Sequence, residues 1–182
     1  INNGTYLQML TQIGREGYGS DIDFAKAVVE ATLIRTFNNV HRITIRGEAG
    51  VIKTNSFDEV PTSLRFYAGG DKSVRGFDYR EISPTAEVID PETGELIVDS
   101  IGGKYLATSS VEYAYQVADN WRVAAFVDAG TATNDTSTTL TYSVGPGVHW
   151  LSPIGPVRLY VARGFAPDEN TWQLHILLGP EL

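Results

Sequence analysis

Polar and apolar residues alternate along much of this chain with a period of two. Between residues 41 and 53, Ile43, Ile45, Ala49 and Val51 fall on one side, and Arg42, Thr44, Arg46 and Glu48 on the other. Between 104 and 117, Tyr105, Ala107, Val111, Tyr113 and Tyr115 oppose Thr108, Ser110, Glu112 and Gln116. Arg122, Ala124, Phe126 and Asp128 share one side of the next segment, and Val123, Ala125, Val127 and Ala129 the other. Towards the C-terminus Val157, Leu159 and Val161 oppose Arg158 and Tyr160, while Trp172, Leu174, Ile176 and Leu178 oppose Gln173 and His175. Successive side chains of an extended strand point to opposite faces, so each set lines one face of a sheet. Taken along the whole chain, the pattern predicts nine strands and no long helix: 5–13, 22–36, 41–53, 63–69, 104–117, 121–130, 140–151, 157–162 and 172–178.

Several of these segments exceed the ~5–6 residues usual in globular sheets. A tilted strand crossing a bilayer needs about 9–11. Tyr105, Tyr115, Trp121, Trp150 and Trp172 fall near predicted strand ends, where aromatic girdles of membrane barrels lie. Short connections at 38–39, 118–120 and 153–155 contrast with longer ones at 134–139 and 70–103, as outer-membrane barrels contrast their two rims. The longest loop carries its own hairpin signal, 87–89 and 96–98 flanking a turn-prone 90–95. The expected fold is all-β: one antiparallel transmembrane β-barrel domain over 1–182, with about eight strands, because an odd count leaves antiparallel closure frustrated. A soluble sandwich or a lipocalin-type ligand barrel also alternates, and the period by itself does not separate them.

Composition narrows the chemistry. At 182 residues, 42% apolar and 20% charged, the chain fits one folded domain. No stretch approaches the ~18 apolar residues of a membrane helix. A net charge of −8 argues against a nucleic-acid partner. The absence of cysteine removes disulfides, cysteine metal centres and thiol catalysis. His41, His149 and His175 lie on different predicted strands without metal-binding spacing, and no nucleophile elbow or Walker loop is present. No catalytic residue, cofactor or metal is expected.

One charged constellation remains. Arg75 sits among turn-prone glycines, and Glu112 and Asp128 lie on the polar faces of neighbouring predicted strands. Adjacent antiparallel strands can bring two such carboxylates close enough for one guanidinium to bridge them. On the residues alone this is a weak signal, because any arginine can meet a carboxylate, and a solvated surface arginine is the favoured reading of Arg75.

The stretch Phe66-Tyr67-Ala68-Gly69-Gly70-Asp71-Lys72-Ser73-Val74-Arg75-Gly76-Phe77-Asp78-Tyr79 resembles the Val-Arg-Gly-Phe loop of the BamA/TamA superfamily of outer-membrane assembly barrels. The runs 150–159 and 177–182 are similar to its TamA branch. The resemblance implies that Val74, Arg75, Gly76 and Phe77 fold back inside the barrel within an inward loop 70–103. It further implies that Glu112 and Asp128 hold Arg75 from the inner wall. It makes the chain the C-terminal half of a barrel of about sixteen strands, with periplasmic POTRA modules and a signal peptide upstream. The last strand, carrying Trp172, Leu174, Ile176 and Leu178, would form the seam where substrates enter the bilayer. The implied function is insertion or translocation of outer-membrane proteins, with autotransporters as substrates, in the outer membrane of a Gram-negative bacterium. The implied partners are the lipid bilayer, substrate β-barrels or autotransporters, and a second copy if two half-barrels close together. A chain that closes on itself would make a small barrel, and the alternative function is a structural or pore-forming barrel without assembly activity.

Overall fold

The computed structural model describes residues 3–17, 20–89, 94–135, 140–153, 155–167 and 170–179. Ten strands follow one another: β1 (Gly4–Gly14), β2 (Phe24–Phe37), β3 (His41–Thr54), β4 (Thr85–Ile89), β5 (Leu96–Ser100), β6 (Tyr105–Ala118), β7 (Trp121–Thr133), β8 (Thr141–Ser152), β9 (Gly155–Phe165) and β10 (Asn170–Leu178). Eight form a single sheet in the order β1-β2-β3-β6-β7-β8-β9-β10, antiparallel at every step. β4 and β5 pair separately as the expected hairpin, whose turn at 90–93 lies outside the described residues. Among the described residues β1 and β10 end the sheet order, and no pairing joins them.

Local chemistry explains the tight turns on one rim. Asn38 and Asn39 both have positive φ, 50° and 60°, as a two-residue hairpin turn requires. Asn tolerates that region because its short polar side chain can bond to nearby backbone. A register shift between Gln116 and Ala118 lets β6 turn into β7. The other rim carries the long connections, including everything between β3 and β6.

The period of two persists through the sheet. Val111, Tyr113, Val123 and Val127, then Leu159, Val161, Leu174 and Ile176, all face outward and are exposed. Their strand neighbours Ser110, Glu112, Ala124, Phe126, Asp128, Tyr160 and Ala162 are buried on the opposite face. An apolar outer face of this extent is what a bilayer covers. Aromatic pairs mark both ends of it. Trp121 and Trp150, cross-strand partners, stack at 6.0 Å near the short turns, and Tyr142 and Phe165 at 4.9 Å near the long loops.

Two expectations need correction. The segment 63–69 is not a strand: Thr62–Leu64 forms a 3-10 turn, and beyond it only Phe66 and Ala68 make single bridges, to Gly103 and Ile82. The alternation there reflects burial against the wall. Phe66 and Ala68 join Ile22, Ile52, Phe57, Val60, Leu106 and Ala132 in a core at the long-loop end. A Cβ at Gly50 would lie 2.4 Å from the Phe66 ring, so the wall is bare where that ring rests. Arg65 secures this stem by donating to the carbonyls of Val60, Ile101 and Asp58 at 2.8–3.0 Å. The second correction concerns loop 70–103. Its first part lies against the wall, but its β4–β5 hairpin is exposed, with Ile89, Leu96 and Val98 uncovered.

A charge on the outer face near the middle of β6 should destabilise the barrel. Val111→Arg is expected to cost about 2–4 kcal/mol in lipid vesicles. Denaturant titration of vesicle-folded protein measures it, and an unchanged midpoint would contradict the assignment of this face to lipid.

Candidate functional site

The loop reaches the wall through a compact turn. Gly69, Gly70 and Gly76 all have positive φ, and Gly70 N–H donates to Phe77 O at 3.1 Å, closing the loop tip on itself. Val74, Arg75 and Phe77 are carried down and buried. Two glycines make room beneath them. A Cβ at Gly130 would come within 2.7 Å of Val74 Cγ2, and one at Gly164 within 2.7 Å of both Gly76 O and Phe77 Cζ.

Arg75 is 2% exposed and Asp128 0%. Arg75 Nε and Nη2 donate to the two oxygens of Asp128, each at 2.8 Å, in a bidentate fork. The backbone N–H of Arg75 adds a third bond to Asp128 Oδ2 at 3.0 Å. Nη1 donates to Glu112 Oε2 at 2.6 Å and Nη2 to Ser110 Oγ at 3.1 Å. Ser110 and Asp128 are direct cross-strand partners, and Glu112 lies two residues along the same face of β6. The guanidinium carbon is 3.6 Å from the Phe126 ring centre and 4.5 Å from that of Tyr160. Burial alone favours loss of the proton. The hydrogen bonds and charge of Asp128, then those of Glu112, outweigh it and hold the group above its ordinary pKa.

One residue later the loop meets the other end of the sheet. Gly76 N–H donates to His175 Nε2 at 2.8 Å, and the Thr171 hydroxyl donates to Gly76 O. Because Nε2 accepts, the imidazole proton sits on Nδ1, which faces Asp71 Oδ1. Gln173 Nε2 donates to Asp78 Oδ1 at 3.1 Å. Three consecutive inward residues of β10 therefore hold the loop.

The structure thus places Arg75, Glu112 and Asp128 together, with Val74, Gly76 and Phe77 around them. It also recruits residues that the sequence reading did not single out for this site: Ser110, His149, Tyr160, Thr171 and His175. His149 Nε2 lies 3.4 Å from Glu112 Oε1 and 2.9 Å from the Tyr160 hydroxyl, which supports the second carboxylate from behind. The usable signal was the glycines at inward positions of β8. Gly147 is the cross-strand partner of Tyr160, and Gly145 lies against Phe126, so each ring overlies a bare stretch of strand. Trp172, Leu174, Ile176 and Leu178 point outward from β10 and take no part in the cluster. Beside the loop, a cavity of about 1360 Å³ extends between the inner faces of β1–β3 and β10, bordered by Gln8, Glu30, Glu48, Lys72 and Gln173.

With this geometry in place, the chain can be set beside known proteins. The sequence profile of the Omp85 superfamily domain matches residues 2–179. The outer membrane protein assembly factor BamA of Nitratidesulfovibrio vulgaris is 34% identical over 174 residues, covering 92% of this chain and 21% of that protein. BamA of Neisseria meningitidis serogroup B is 29% identical over 197 residues, covering 88% of this chain and 24% of that protein. The chain spans less than a quarter of the length of these relatives. The crystal structure of BamA from Haemophilus ducreyi lacking POTRA domains 1–3 superposes with a TM-score of 0.79 at 22% identity, over 98% of this chain and 38% of that one.

Removing either side of the buried pair leaves an unmatched charge, at a cost of about 3–5 kcal/mol when fully enclosed. Arg75→Ala and Asp128→Ala should each destabilise the folded barrel, and the double variant should lose much less than their sum. Gly164→Ala should lift the loop tip without touching a charge, exposing 70–80 to protease. Additive losses in the cycle would mean that the two groups are not energetically coupled.

Proposed function

We propose that this chain, which belongs to the Omp85 superfamily, forms the C-terminal half of a barrel that assembles other proteins into the outer membrane. Its place is the outer membrane of a Gram-negative bacterium. The observation that carries the reading is the seating of Arg75 on Asp128 and Glu112. A loop seated by a fully matched buried charge keeps the lumen braced while the sheet edges stay available. On this reading Val74–Phe77 lock the loop, Glu112 and Asp128 receive it, and residues 1–182 act as one barrel domain.

The β10 edge, which carries Trp172, Leu174, Ile176 and Leu178 on its outer face, is the proposed seam. A strand edge presents unpaired N–H and C=O groups, and in hydrocarbon each such group costs several kcal/mol. An incoming strand satisfies them, so an open edge lowers the barrier for inserting a new barrel without any bond being made or broken. Self-association of two half-barrels would satisfy the same edges and is the competing use of them. For the branch of the family, the runs 150–159 and 177–182 favour a TamA-type role with autotransporters as substrates. The curated relatives favour a BamA-type role, with substrate β-barrel proteins. The cavity beside the loop supports a second reading, a pore-forming barrel without assembly activity.

The test is a reconstitution. Vesicles carrying the intact protein should accelerate folding of an added β-barrel substrate or autotransporter relative to empty vesicles, and Arg75→Ala vesicles should fall back towards the empty rate. Arg75→Lys, a point charge without the planar fork, should fall between. Ion conductance with no acceleration of any substrate would favour the pore reading and sink the assembly one.

A further inference from the structure

The outer face of the sheet carries a charge pattern that assembly does not explain. Among the described residues on that face of the eight strands, the Asp, Glu, Lys and Arg side chains are Arg35, Lys53 and Arg163. All three are cations, in a chain whose net charge is −8. Each lies within two residues of the end of its strand, Arg35 at the short-turn rim and Lys53 and Arg163 at the long-loop rim. Arg35 is already engaged by protein, donating to Gly4 O at 3.0 Å, Ile34 O at 2.8 Å and Thr5 Oγ1 at 3.2 Å.

Arg163 is held differently. Its cross-strand partners are Val144 on β8 and Trp172 on β10, and Leu159 and Val161 precede it on the same exposed face. Its guanidinium carbon lies 5.1 Å from the Phe165 ring centre and 5.4 Å from that of Trp172. Two aromatic faces thus fix the cation against the barrel surface, where tryptophan and tyrosine ordinarily mark the headgroup level. A guanidinium offers paired donors that match the oxygens of a phosphate.

We propose that Arg163, backed by Trp172 and Phe165, binds the phosphate of an anionic lipid in the leaflet on the long-loop side. The inference rests on the outer face being lipid-covered. It goes beyond the assembly role, because it assigns a specific lipid contact to the strand next to the β10 edge. An acidic lipid held there positions its acyl chains over Val161 and Leu174, beside that edge.

The intact protein, with Trp121→Phe and Trp150→Phe so that Trp172 is the reporter in this chain, is reconstituted in phosphatidylcholine vesicles. These contain either tail-brominated phosphatidic acid or tail-brominated phosphatidylcholine. Quenching of Trp172 should show about a fivefold preference for phosphatidic acid, as one cation near the surface provides. The preference should vanish in Arg163→Gln and persist in Arg35→Gln. A companion protein with Trp150 as reporter should show none at the opposite rim, which keeps the proposal testable should Arg163→Gln not fold. Equal quenching by both lipids, or equal preference at both rims, would overturn the proposal while leaving the membrane face intact. Absence of quenching by either lipid would instead remove the lipid-covered face itself. Loss of the preference in excess inorganic phosphate at constant ionic strength would mark a free-anion site and overturn the lipid assignment.

Discussion

A guanidinium enclosed by protein has to be neutralised where it lies, because desolvating an unmatched charge costs several kcal/mol. That constraint organises the inner wall. Asp128 takes the fork, Glu112 takes the third nitrogen, and Ser110 fills the gap between them. Arg46 donates to the same Ser110 at 3.3 Å, placing a second cation beside two carboxylates that would otherwise exceed the charge of Arg75. Replacing such a cluster by apolar groups of equal volume is often neutral for stability. What the ion pair supplies is position, since on this wall the seat formed by Ser110, Glu112 and Asp128 offers that arrangement of acceptors. The glycines at 76, 130 and 164 follow from it, because the loop must approach closely enough for a side chain of fixed reach to arrive.

Much of the fold was legible because period-two alternation is insensitive to what lies on either face. Eight of the nine expected segments became strands of the sheet, with ends displaced by a few residues. The failure at 63–69 has a physical cause. Phe66 and Ala68 alternate because one side of an extended loop is buried in a core, which mimics a strand without a ladder. The site divides in the same way. Arg75, Glu112 and Asp128 could be named because a charged residue on a polar face is visible in one dimension. His175, Thr171 and Tyr160 could not, because their relation to the loop depends on how β9 and β10 are set against Gly76, ninety-five to ninety-nine residues away from it in sequence for the two β10 groups.

The distribution of charge follows the same logic of surfaces. Arg42, Arg46, Arg122 and Arg158 lie inward on β3, β7 and β9, while among the described residues the charged groups of the outer face are all cations. The acidic excess is therefore concentrated in the connections, much of it at the long-loop rim around Asp21, Asp58, Asp78 and Glu87. Net charge as read from composition described those connections, and neither face of the sheet shares its sign.

Arg75 is fastened to β6 and β7, and Gly76 to β10, so a single peptide bond joins two parts of the sheet that are separated by β8 and β9. Such a link acts as a chord across an arc. Its length, fixed by covalent geometry, sets how far the last strand can swing from the middle of the sheet. The arc also has a line where its ladder is interrupted: Pro146, inside β8, has no N–H to give, and the described pairing of β8 with β9 passes over both it and Gly145. Releasing the chord would leave β9 and β10 free to pivot about that line, and the bend of the sheet would then be governed by the lipid around it.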